Sequence, residues 1–114
     1  MFNLNFKSIF CFLKEEVDAV NTETHTDYRT IDNLHDHEFL NLRYLQSISD
    51  IRTKEFYTAW YDGERHPEEP KYVKKYSAEL TFIDKTYYLI SNNGEDIEEA
   101  ISIILDKMKE LKGE

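Results

Sequence analysis

Four histidines and one cysteine are the side chains whose chemistry could be put to work. His35-Asp36-His37-Glu38 lies in a polar stretch, with His25 upstream and His66 farther on. Neutral imidazole and carboxylate ligate zinc and other divalent ions. A His-x-His pair on an extended segment puts both rings on one side. A third ligand from His25, His66 or Glu38 would close a site. No spacing here matches a zinc signature, and a short polar run reads first as a solvated loop. The same histidines could serve as general bases near neutral pH, yet no nucleophile or oxyanion donor accompanies them. A metal-binding protein or small enzyme built on His25, His35 and His37 therefore stands as the alternative reading. No metal or cofactor is expected.

Cys11 is the only cysteine. It cannot form an internal disulfide, and a reducing, cytoplasmic setting follows. Catalytic use would need a stabilised thiolate, and its helical neighbours Lys7, Lys14, Glu15 and Asp18 are a mixed set. There is no Gly-rich phosphate loop. Asn93-Gly94 reads as a turn and helix cap, because the acids that follow would repel phosphate.

A third grouping is aromatic and acidic. Residues 54–61 alternate Phe56, Thr58 and Trp60 with Tyr57, Ala59 and Tyr61. One of these rows must face water or a covering loop if helices occupy only one side of the sheet. Exposed Tyr and Trp are common binding anchors, and a carboxylate rim steers a basic partner. Glu55, Tyr57, Trp60, Tyr61, Asp62, Glu64, Glu68 and Glu69 are the candidate protein-binding residues. Tyr72, Tyr76, Tyr88 and Ile90 could extend the aromatic surface.

Charge points the same way. The chain has 114 residues and a formal charge of −9, which repels nucleic-acid backbones and anionic membrane surfaces. Lys71, Lys74 and Lys75 form the one basic cluster, and residues 95–114 are the most acidic stretch. Carboxylates spaced like phosphates could occupy the groove of a nucleic-acid enzyme, an inhibitory mimicry. The expected function is a non-catalytic, inhibitor or immunity-type module for a basic protein. The chain itself is expected to be a monomer or homodimer, with self-association through the aromatic face as a further alternative.

The elements that must position these residues follow from periodicity. With 40% hydrophobic and 14% aromatic residues, the chain has enough apolar material for one core. No apolar run reaches a signal core or a membrane span. Phe6, Ile9, Phe10, Leu13, Val17 and Val20 predict an amphipathic helix over 6–20, with Cys11 on its polar face. Residues 21–37 read as a long loop. Residues 38–51 fit either period, with a strand favoured near 39–46. Residues 54–61 predict a strand, ended by Asp62-Gly63, and Pro67 and Pro70 keep the next segment irregular. Tyr72–Ile83 and Thr86–Ser91 predict a hairpin around Asp84-Lys85, pairing Phe82 with Tyr87 and Leu80 with Leu89. Residues 95–112 predict a helix buried along Ile97, Ala100, Ile101, Ile104, Leu105, Met108 and Leu111, with Ile103 off the stripe. The expected fold is one α+β domain, an antiparallel sheet of three to four strands packed by N-terminal and C-terminal helices against one face.

Overall fold

The computed structural model describes residues 2–3, 9–22, 30–60 and 70–112. In chain order the elements are β1 (Phe2–Asn3), β2 (Phe10–Leu13), α1 (Lys14–Thr22), a 3-10 turn (Ile31–Asn33), β3 (Phe39–Leu40), a 3-10 turn (Leu42–Tyr44), β4 (Leu45–Ile48), β5 (Arg52–Trp60), β6 (Pro70–Phe82), β7 (Thr86–Ser91) and α2 (Gly94–Lys112). The main sheet is antiparallel, ordered β2-β7-β6-β4, with β5 also on β6. β6 is long enough to carry both neighbours on one side. Its N-terminal part pairs with β5 and its C-terminal part with β4. β1 and β3 form a separate two-stranded pair. This is the α+β architecture that the periodicity predicts.

The helix expected over 6–20 is divided. Residues 4–8 lie outside the described set, Phe10–Leu13 form β2, and the helix begins at Lys14. A short unbroken apolar run suits a strand buried on both faces as well as a helix segment. Here Cys11 pairs with Leu89 and Phe12 with Tyr88, so alternate side chains enter opposite cores. Cys11 is therefore not on a polar helix face but 1% exposed.

Two apolar clusters lie on the two sides of the sheet. Cys11, Leu80, Phe82, Tyr87, Leu89, Ala100 and Ile104 belong to one, under α2. Phe12, Val17, Ile31, Phe56, Tyr88 and Ile90 belong to the other, under α1 and the first 3-10 turn. The helices thus cover opposite faces, not one. The aromatic rows of β7 oblige this, since Tyr87 and Leu89 alternate with Tyr88 and Ile90 and both rows need cover.

The β6–β7 hairpin has Thr81 opposite Thr86, Leu80 opposite Tyr87 and Ala78 opposite Leu89. Each pair is displaced by two residues from the tight-loop register. The Phe82 N–H donates to the Lys85 carbonyl at 2.8 Å and closes a longer loop. A two-residue slip keeps every side chain on its face, so the expected sorting of Ala78, Leu80, Phe82, Tyr87 and Leu89 holds. Pro70 is not irregular but opens β6, opposite Trp60; proline is tolerated at a strand's first residue. Residues 39–46 are not one strand. Asn41 accepts a hydrogen bond from the Arg43 N–H at 3.2 Å, and its geometry caps a 3-10 turn between β3 and β4.

α2 matches its prediction within one residue. The Asn93 side chain accepts from the Glu95 N–H at 3.0 Å, and Ile97, Ala100 and Ile104 are fully buried. Leu105 departs from the expected stripe: it is 47% exposed. The buried arc of α2 is narrower than the apolar arc in the sequence, which leaves Leu105 at its margin.

Candidate protein-binding face

The face is built on the β5–β6 ribbon. Its register sets Thr53 opposite Tyr76, Glu55 opposite Lys74 and Tyr57 opposite Tyr72. Period-2 alternation sends these to one side, and Lys54, Phe56, Val73 and Lys75 to the other. Phe56 is fully buried in the α1-side cluster. Tyr72 and Tyr76 are 40% and 42% exposed, and Glu55 and Lys74 are exposed beside them. The basic cluster seen in sequence is consequently split, because Lys74 and Lys75 point to opposite faces.

Tyr57 is a support, not a contact residue. It is fully buried, with its ring 5.5 Å from that of Tyr72. Asn21, in the last turn of α1, accepts from the Tyr57 N–H through Oδ1 at 3.0 Å and donates to the Glu55 carbonyl at 3.3 Å. One side-chain amide thus satisfies the strand edge as a neighbouring strand would. Trp60 ends β5 opposite Pro70. Tyr61, Asp62, Glu64, Glu68 and Glu69 lie outside the described residues. Of the suggested extensions, Tyr72 and Tyr76 are open and Tyr88 and Ile90 are core.

The start of α2 joins this face. A Cβ built on Gly94 would come within 3.2 Å of Tyr76 Cδ1, so the helix N-terminus rests on that ring. Glu95, Asp96, Glu98 and Glu99 follow directly. Periodicity accounts for these acids by the helix dipole, but their proximity to Tyr76 comes from β7 returning the chain beside β6.

Opposite charges behind the ribbon are largely matched. Lys54 Nζ donates to the Tyr88 hydroxyl at 2.9 Å and lies 3.6 Å from Asp18. Burial pulls the Lys54 ammonium down, but the Tyr88 hydrogen bond and the Asp18 charge outweigh it and hold the group above its usual value. Lys14 pairs with Glu79 at 2.7 Å. These pairs tether α1 to the sheet at a partly exposed rim, where each is worth under about 1 kcal/mol.

The histidine segment is an edge cover. The Cys11 N–H donates to Asp36 Oδ1 at 2.9 Å, and the His37 N–H donates to the Cys11 carbonyl at 2.8 Å. Residues 36–37 thereby occupy the open side of β2, a familiar protection of sheet edges. The His35 and His37 rings stand edge-on with centroids 4.6 Å apart, and His37 also packs on Tyr87 at 5.1 Å. His25 and His66 lie outside the described residues. Among the described residues, no three His, Cys, Asp or Glu side chains are placed to share a metal ion. Burial, then the Asp36 charge, raises the Cys11 thiol well above its ordinary value, so the nucleophilic thiolate is disfavoured.

His37 gives a pH prediction. Its Nε2 is buried with no hydrogen-bond partner among the described residues. Burial foremost, then His35 and Lys85, hold the imidazole below its usual 6.5, against the pull of Glu16 and Asp36. Between the folded value and 6.5 the unfolded chain binds more proton, so stability rises with pH there. The contribution is complete above about pH 6.5 and is lost as pH falls through the folded value. Urea midpoints taken from pH 7 to pH 5 are expected to fall more steeply for the native chain than for His37→Gln; parallel curves would refute this.

No helix among the described residues is long and apolar enough to cross a membrane. Compared with known proteins, the chain matches no family model, no curated protein and no solved structure.

Proposed function

We propose that this chain is a non-catalytic, acidic binding module that inhibits a basic, nucleic-acid-handling protein by carboxylate mimicry. The observation that carries the reading is the pair Tyr72 and Tyr76, open on the ribbon face beside Glu55 and the acidic start of α2. Half-exposed tyrosines held by a strand are rigid, amphipathic anchors, and hot spots concentrate in such side chains. A surrounding negative potential speeds encounter with a basic partner and is screened by salt. The contact set is accordingly centred on Tyr72, Tyr76 and Glu55, with Tyr57 beneath. The working compartment is the cytoplasm, on the strength of the lone cysteine.

A pull-down tests it. At low salt the native chain is expected to retain one basic protein, and high salt to release it. The Tyr72→Ala/Tyr76→Ala variant is expected to bind about 30-fold more weakly, as loss of a hot spot of about 2 kcal/mol implies. Its circular dichroism should show it still folded at the temperature of the pull-down. Retention of no partner at low salt, or equal retention by the double variant, would reject the reading.

A further inference from the structure

The register of the ribbon sets Lys54 directly opposite Lys75 on the α1 side of the sheet. Like charges in that position are destabilising unless anions offset them. Lys54 has Asp18 and the Tyr88 hydroxyl. Lys75 is half-buried and, among the described residues, has no ion-pair or hydrogen-bond partner. In a chain of −9 carboxylates are plentiful, so an unmatched, partly desolvated cation is an exception to the usual pairing.

Lys75 borders a hollow of about 340 Å³, within the range of roughly 300–1,000 Å³ that small-molecule sites occupy. Its floor is Phe12, Ile31 and Ile90, each 5% exposed or less. Leu34 and Phe10 wall it in. Phe10 is 45% exposed because it borders this open space, its ring stacked on that of Phe12 with centroids 5.8 Å apart. Asp36 closes the far end. The strand order β2-β7-β6 puts Lys75 two strand spacings, roughly 10 Å, from β2. Asp36 lies beyond β2, where its Oδ1 accepts the Cys11 N–H. The hollow thus runs from an unmatched ammonium, over an apolar floor, to a carboxylate already engaged.

We propose that this hollow binds a small monocarboxylate with an apolar tail, its carboxylate on Lys75 Nζ and its tail laid across Ile90 and Phe12 toward Phe10. Lys75 selects the head group, because a carboxylate on a partly buried ammonium makes a charge-assisted hydrogen bond. The floor selects the tail. It is hydrocarbon from end to end, and a polar tail would give up water there without a replacement. Asp36 at the far end repels a second carboxylate, which restricts the ligand to one. Tyr72 and Tyr76 point to the opposite side of the sheet and take no part, so this inference does not draw on the tyrosine face.

Titration calorimetry with octanoate, octan-1-ol and octylammonium, which share one tail, is the test. Octanoate is expected to bind saturably, one to a chain. The other two should bind about tenfold or more weakly, as loss of a hydrogen bond to a charged group implies. Octanedioate and butanoate are also expected to bind more weakly than octanoate. Lys75→Met keeps the apolar stem, so it should bring octanoate down to the level of octan-1-ol and leave octan-1-ol unchanged. In the native chain, octanoate should shift the amide NMR signals of Leu34 and Ile90 and leave those of Tyr72 and Tyr76 in place. No binding of octanoate at millimolar concentration would overturn the proposal. So would equal affinity for octanoate and octan-1-ol in the native chain, unchanged octanoate affinity in Lys75→Met, or shifts confined to the tyrosine face.

Discussion

Leu89→Ala is expected to lower the unfolding free energy by about 2–5 kcal/mol, whereas Leu105→Ala should change it by under about 1 kcal/mol. Both are leucines within apolar patterns, so composition gives no reason to separate them. Leu89 has no exposed surface. Its strand lies between β2 and β6, with Cys11 opposite on one side and Ala78 on the other. Ala100 and Ile104 of α2 belong to the same cluster. Truncation leaves a cavity with rigid sheet on two sides and little means of collapse, which puts the cost toward the upper part of the range. Leu105 already meets water, so its truncation loses less transfer energy and opens no closed cavity. Urea unfolding measures both. Equal losses would mean that α2 is rotated about its axis relative to this description.

Phe56→Ala is expected to cost about 3–5 kcal/mol. The ring is fully buried and meets Tyr88 edge-on, with centroids 6.1 Å apart. It shares a cluster with Val17 of α1 and Ile31 of the 3-10 turn. Among the described residues β5 has β6 as its one strand neighbour, and this ring attaches β5 to the α1 layer. Because Phe56 and Leu89 belong to separate clusters on opposite faces, the double variant should lose nearly the sum of the two. A Phe56→Ala loss under about 1 kcal/mol would show that the α1 layer contributes little to folding.

The legible parts of the fold are those where one period was uncontested. The α2 stripe runs long enough to average over single positions, and Asn93 marks its start. The faces of β6 and β7 were legible although the loop was longer than expected, because parity survives a two-residue slip. Phe10–Leu13 was not legible: an unbroken apolar run satisfies both periods, and what decides it is a vacant edge on β7. Among the binding residues, Glu55 is exposed as expected. Tyr57 is buried, with the Tyr72 ring 5.5 Å away across the ribbon, a contact set by strand pairing and invisible to periodicity.

Local order in the chain is enough to settle which residues alternate, which recur every third or fourth position, and how acidic the molecule is. Those properties depend only on neighbours along the backbone. Which helix covers which sheet face, which strand edges are closed, and which tyrosines meet water depend on contacts between residues far apart in sequence. A period of two assigns two faces to a strand and is silent on what lies over each. Packing supplies that answer: α1 over one side, α2 over the other, and Tyr72 and Tyr76 left half-exposed on the α2 side.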